Sequence, residues 1–107
     1  MIVSKADHRD AILCNLKNGS YPNAVYIGRP GIWGNPYTYA DGDPIDMYYE
    51  YLNNNESLLS QLGDLENKQL ACWCYPSRCH GDAIIRTLIE RGYSVLKKES
   101  DINMDLL

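Results

Sequence analysis

The stretch Leu70-Ala71-Cys72-Trp73-Cys74-Tyr75-Pro76-Ser77-Arg78-Cys79-His80-Gly81-Asp82-Ala83-Ile84-Ile85-Arg86-Thr87-Leu88-Ile89 decides the fold. Its first five residues are apolar on both faces, the pattern of a central strand covered from two sides. Gln69 opens that strand and Tyr75-Pro76 ends it, because proline cannot donate to a ladder and restricts the residue before it. A helix then begins around residues 80–82. Ile84, Ile85, Leu88 and Ile89 recur along it at helical spacing, and Gly92 stops it in a C-terminal cap position. A buried strand, a short loop and an amphipathic helix in that order are part of a βαβ unit, so a mostly parallel sheet is expected.

Working toward the N-terminus, Leu58, Leu59, Leu62 and Leu65 form the stripe of one helix, and Asn53-Asn54-Asn55 separates it from another whose inner face is Ile45, Tyr48, Tyr49 and Leu52. Asp43 caps that earlier helix and Pro44 takes its first position. Residues 28–42 hold Gly28, Pro30, Gly31, Gly34, Pro36 and Gly42, a density of punctuation that forbids a long regular element. Residues 24–27 read as a buried strand feeding this loop. Ile12, Leu13 and Leu16 recur at helical spacing, which places Cys14 inside a first helix, and Ile2 and Val3 begin a short strand. Residues 93–96 give a last strand. The expected fold is therefore α/β: one small domain over residues 1–107, with a mostly parallel, Rossmann-like sheet of about four strands and packed helices. Residues 97–107 are a charged tail, frayed or docked on a partner.

A chain of 107 residues buries only about two-thirds of its unfolded surface, so any pocket is shallow or shared with a second subunit, and a homodimer stays open. The 45% hydrophobic and 22% charged composition is that of a globular protein. Fourteen acidic against ten basic side chains give a net charge of −4, which argues against general nucleic-acid binding. No apolar targeting segment or run of about 18 apolar residues is present, so no membrane is expected and the protein is placed in the cytoplasm. Cysteines fall at 14, 72, 74 and 79. Crowding three of them into one short segment does not suit a disulfide framework and points to ligands, nucleophiles or packed thiols in a reducing compartment.

The chemistry concentrates in two segments. In the first, Cys72 and Cys74 share one face of the strand, Trp73 packs on the other, and Cys74 lies near the carboxyl end, where open α/β sheets bind ligands. The loop delivers Cys79, His80 and Asp82 to a helix N-terminus, whose N–H groups and partial positive charge favour a thiolate or a bound anion, and Gly81 allows close backbone approach. One use is catalytic: Cys74 or Cys79 as nucleophile, His80 as acid or base, Asp82 as orienter or base. Another is a zinc site of Cys72, Cys74, Cys79 and His80. Ordinary zinc sites draw knuckles from two separate segments, so the crowding counts against it and no metal or other cofactor is expected. A third is simple packing of small thiols.

The second segment is Gly28-Arg29-Pro30-Gly31-Ile32-Trp33-Gly34-Asn35-Pro36. Arg29 offers a planar fork of donors for phosphate or carboxylate, Trp33 a stacking face, and Asn35 a paired donor and acceptor for a base or sugar edge; the alternative is a glycine- and proline-rich loop whose Trp33 plugs the core. It matches neither the dinucleotide nor the Walker glycine pattern. If both strands are parallel, the two segments meet at one sheet edge.

The sequences VYIGRPGIWGNPY and LACWCYPSRCHGD together resemble the family of domain of unknown function 4326 (DUF4326), found in phages and bacteria, over residues 25–88. The family pattern carries onto Gly28, Arg29, Pro30, Trp33, Gly34, Asn35 and Pro36, and onto Cys72, Trp73, Cys74, Cys79, His80 and Asp82. The resemblance implies a host-cytoplasmic setting if the chain is phage-encoded, and it implies no reaction. The expected function is to bind or process a nucleotide-derived or other anionic small molecule in a pocket made by the two segments. The alternatives are a non-catalytic interaction module, which would sequester a metabolite or inhibit a host protein, and a zinc-stapled structural domain.

Overall fold

Three short strands carry the site: β1 (Leu13–Asn15), β2 (Val25–Tyr26) and β3 (Leu70–Cys72). In the computed structural model, which describes residues 11–19, 21–38, 42–73 and 79–96, β3 lies between the other two and pairs with both in parallel. Leu13 aligns with Leu70 on one side and Val25 with Leu70 on the other. That central place explains why Leu70, Ala71 and Cys72 are all buried.

The helices begin where their caps dictate. Asp43 accepts from the N–H groups of Ile45 and Asp46 through Oδ1, at 3.0 and 3.3 Å, and opens α1 (Pro44–Asn53). Ile45, Tyr48 and Leu52 are buried on its inner face, with Tyr49 partly buried beside them. Asn55 then caps α2 (Glu56–Leu59) by accepting from Leu58 N–H. The expected single helix through Leu65 is broken here: α2 ends after one turn and a 3₁₀ turn spans Leu62–Leu65. Leu58, Leu62 and Leu65 nevertheless all reach the core.

The last helix, α3 (Gly81–Glu90), buries Ala83, Ile84, Ile85, Thr87 and Leu88. It stops at Arg91, and Gly92 follows at φ +83°, the left-handed conformation a glycine adopts without a Cβ penalty. Helices α1 and α3 are joined through Asn53, whose Nδ2 donates to Thr87 Oγ1 at 3.0 Å, and through the Arg86 guanidinium, 4.1 Å from the centre of the Tyr49 ring.

Two expectations for the sheet are corrected. Leu13-Cys14-Asn15 is a strand and not the middle of a helix; residues 11 and 12 are helical, and the chain straightens at Leu13 to pair with β3. The apolar spacing suited either state, and the backbone hydrogen bonds offered by β3 decide it. Residues 93–96 form no strand. Ser94 instead exchanges bonds with the loop before β3, its carbonyl accepting from Asn67 N–H and its N–H donating to Glu66, so the segment is held without a ladder. The sheet among the described residues thus has three strands where about four were expected. Ile2, Val3 and the tail at 97–107 lie outside the described residues. No helix among the described residues is long and apolar enough to cross a membrane.

Candidate functional site

The carboxyl ends of β2 and β3 open into a pocket of about 530 Å³, within the range of small-molecule sites. Gly28, Arg29 and Asn35 line it from the loop after β2, and Cys72, Trp73, Cys79 and His80 from the connection between β3 and α3. Tyr26, Tyr37, Thr38, Pro44 and Ile45 complete the wall. The two segments singled out in the sequence therefore meet in one concavity.

His80 is the joint between them. Its Nε2 lies 2.6 Å from the Ile27 carbonyl, which can only accept, so this nitrogen carries the proton. The ring packs edge-on against Tyr48 with centroids 5.0 Å apart, and Tyr48 Oη donates to the Trp33 carbonyl at 2.8 Å. Burial lowers the imidazole's pKa below its ordinary value, more than the Ile27 and Trp33 carbonyls raise it, and the nearby Arg29 charge lowers it further. His80 is therefore neutral near pH 7. Burial also pushes the Tyr48 phenol far up, so its hydroxyl remains a donor.

Cys79 is buried at the mouth of α3. Its sulfur accepts from Gly81 N–H at 3.2 Å and lies 3.8 Å from Cys72 Sγ. Asp82 turns back so that Oδ2 accepts from Cys79 N–H at 3.1 Å, tying the first turn of α3 to the residue before its N-cap. The N–H groups of Asp82 and Ala83 donate to the carbonyls of Cys79 and His80. The helix end thus spends its N–H groups on the protein, and one of them on the thiol. A Cβ at Gly81 would meet Leu13 Cδ2 at 2.6 Å and Ile27 Cδ1 at 3.1 Å, so only glycine lets α3 approach the sheet this closely.

The loop after β2 is a pair of consecutive turns, with Gly31 N–H donating to the Gly28 carbonyl and Gly34 N–H to the Gly31 carbonyl, each at 3.0 Å. The Arg29–Pro30 peptide is cis. Arg29 spans the loop, donating from Nε to the Asn35 carbonyl at 2.6 Å and from Nη2 to the Tyr37 carbonyl at 2.9 Å. Arg29 is exposed and lines the pocket, and a guanidinium carries five N–H donors, more than these two bonds use. Asn35 donates to the Pro44 carbonyl and accepts from Tyr37 N–H, which fixes the loop to the start of α1. Its amide is mostly engaged by the backbone, so the expected reading of a ligand edge falls to its remaining donor.

The two tryptophans exchange the places expected of them. Trp33 is 4% exposed and belongs to the core, so it offers no stacking face. Trp73 is 51% exposed at the pocket and does not pack inside. It follows the last paired residue of β3, where neither neighbouring strand extends to cover it. Its Nε1 donates to Tyr26 Oη at 3.3 Å, and Tyr26 Oη donates to the Arg29 carbonyl at 2.7 Å. A Cβ at Gly28 would run into the Tyr26 ring. Sequence reasoning missed Tyr26, Tyr37, Thr38, Pro44 and Ile45; the alternation that places Tyr26 on the same side as the loop's return was the available signal for the first.

Pro30, Trp33 and Gly34 shape the loop without lining the pocket. Cys74 lies outside the described residues, as does the rest of the loop to residue 78. Among the described residues no group of three or more histidine, cysteine, aspartate or glutamate side chains could hold a metal ion. Cys14, expected on a helix, is buried on β1 and donates to the Leu70 carbonyl at 3.6 Å; burial, with a smaller contribution from Cys72, raises its pKa.

The family model of domain of unknown function 4326 matches residues 14–90, so the chain belongs to the DUF4326 family. The match spans all three strands and the whole of α3 apart from Leu13 of β1, and it contains both pocket segments. No curated protein and no solved structure matches.

Proposed function

We propose that this DUF4326 domain binds a small anionic molecule, up to about the size of a mononucleotide, in the pocket between the Gly28–Asn35 loop and the β3–α3 connection. The observation that carries the reading is that both segments line a single concavity of about 530 Å³ with the exposed Arg29 fork on its rim. Arg29 is already braced against two carbonyls, so its guanidinium is oriented before a ligand arrives and loses little freedom on binding.

Binding fits the geometry better than turnover. His80 commits its Nε2–H to Ile27, Asp82 holds Cys79 N–H, and Cys79 is buried against Gly81 N–H and Cys72. Of the groups that the sequence assigns to catalysis, Cys79, His80 and Asp82 each hold the site together. A sensor or a protein that sequesters a metabolite needs nothing more than this. The decisive experiment is a thermal-shift panel of inorganic phosphate, pyrophosphate, ribose 5-phosphate and nucleoside monophosphates, with chromatography of each incubated ligand. A melting shift that grows with concentration, with the ligand recovered unchanged, supports the reading. No shift with any anion refutes it, and a consumed ligand restores catalysis.

A further inference from the structure

We propose that Tyr26 and Trp73 form a stacking platform that selects a planar heterocycle, so that the pocket's ligand is a nucleoside phosphate with its base on the aromatic pair and its phosphate at Arg29. This rests on the anion-binding reading above and names the class of ligand.

Both aromatic residues line the pocket and both are exposed, at 37% for Tyr26 and 51% for Trp73. Exposure of a large ring next to the central strand leaves apolar area in water, a cost of about 25 cal/mol per Å² that burial under a ligand recovers. The pair is also fixed. Trp73 Nε1–H donates to Tyr26 Oη, and the Tyr26 hydroxyl donates to the Arg29 carbonyl, so a hydrogen-bond chain runs from the indole to the backbone of the anion-binding residue. The absence of a Cβ at Gly28 is what lets the Tyr26 ring lie over the loop. The platform and the guanidinium are thus held in one frame, as a ligand with a flat ring and a charged group requires.

Ring stacking is tolerant of which base is presented, because every base has a π face. The platform accordingly discriminates a nucleotide from a sugar phosphate and not one base from another. Ile32, the most exposed of the large apolar side chains among the described residues, is absent from the pocket wall and takes no part.

The test uses the two tryptophans as reporters. Trp33 is buried, so acrylamide quenches chiefly Trp73 in the folded protein. AMP is expected to protect that emission and to bind about tenfold more tightly than ribose 5-phosphate. Trp73→Leu should remove the preference for AMP over ribose 5-phosphate, as read by calorimetry on the folded variant, and Trp73→Phe should restore most of that preference. Equal affinities of AMP and ribose 5-phosphate in the unmodified protein overturn the platform and leave the anion pocket standing. Failure of both compounds to bind overturns both readings. A retained AMP preference in a folded Trp73→Leu variant also overturns the proposal.

Discussion

His80 Nε2–H donates to the carbonyl of Ile27 at 2.6 Å, across 53 positions of sequence. This one bond ties the N-cap residue of α3 to the residue that follows β2, and with it the two halves of the pocket. Ile27 is fully buried, so losing the donor leaves its carbonyl without this partner inside the core. His80→Ala should therefore cost about 2–4 kcal/mol, from an unsatisfied carbonyl plus the cavity beside Tyr48. Urea denaturation followed by circular dichroism measures it, and a loss below about 1 kcal/mol would mean that the bond is not structural.

The same residue sets a pH dependence. Its folded pKa lies below the ordinary 6.5, so on acidification through that value the unfolded chain takes up a proton that the folded chain refuses. Stability should fall as the pH drops from about 7 toward the folded pKa and level off below it. His80→Gln should flatten this slope between pH 5 and 7 (roughly the window of histidine titration), whatever it does to stability at pH 7. An identical slope in the variant would assign the effect to another group.

Gly81→Ala separates close packing from helix propensity. In the first turn of an ordinary helix alanine outranks glycine by up to about 1 kcal/mol. Here the new methyl would meet Leu13 Cδ2 and Ile27 Cδ1 in a dense core, so the variant should lose about 1–3 kcal/mol. A more stable variant would show that α3 does not pack as tightly as described.

How far the sequence discloses the molecule depends on whether a signal is local. The Asp43-Pro44 start of α1, the Gly92 stop after α3 and the central position of Leu70-Ala71-Cys72 are all readable, because each follows from the residue's own backbone preference or from burial on two faces. The strand at Leu13–Asn15 is not, because its apolar pattern fits a helix equally and only pairing to β3 resolves it. The meeting of the two segments follows from parallel strands. Which tryptophan faces the pocket does not, since that turns on Tyr48 reaching the Trp33 carbonyl and on Trp73 lying just past the last paired residue of β3. Likewise the residue types at Cys79, His80 and Asp82 suggest chemistry, while their hydrogen bonds show structural employment.

Thiol reactivity offers a separate check on the site. Cys79 is polarised by Gly81 N–H and borders the pocket, whereas Cys14 is buried on β1 with a raised pKa. Iodoacetamide should modify Cys79 faster than Cys14 in the native protein, as read by peptide mass mapping, and a bound nucleoside monophosphate should slow the reaction at Cys79 alone. Equal rates at the two positions would show that the pocket does not admit small molecules to the thiol.

The most direct measurement is a titration of isotopically labelled protein with AMP, followed by amide chemical shifts, in the unmodified chain and in Arg29→Lys. A single binding pocket predicts concerted, saturable shifts at Gly28, Arg29 and Asn35 together with Cys72, Trp73, Cys79 and His80, with one dissociation constant for both segments. It also predicts weaker binding by Arg29→Lys, because an ammonium cannot brace both the Asn35 and Tyr37 carbonyls while meeting the phosphate. Shifts confined to one segment, or absent from both, would contradict the claim that the two signatures build one binding pocket.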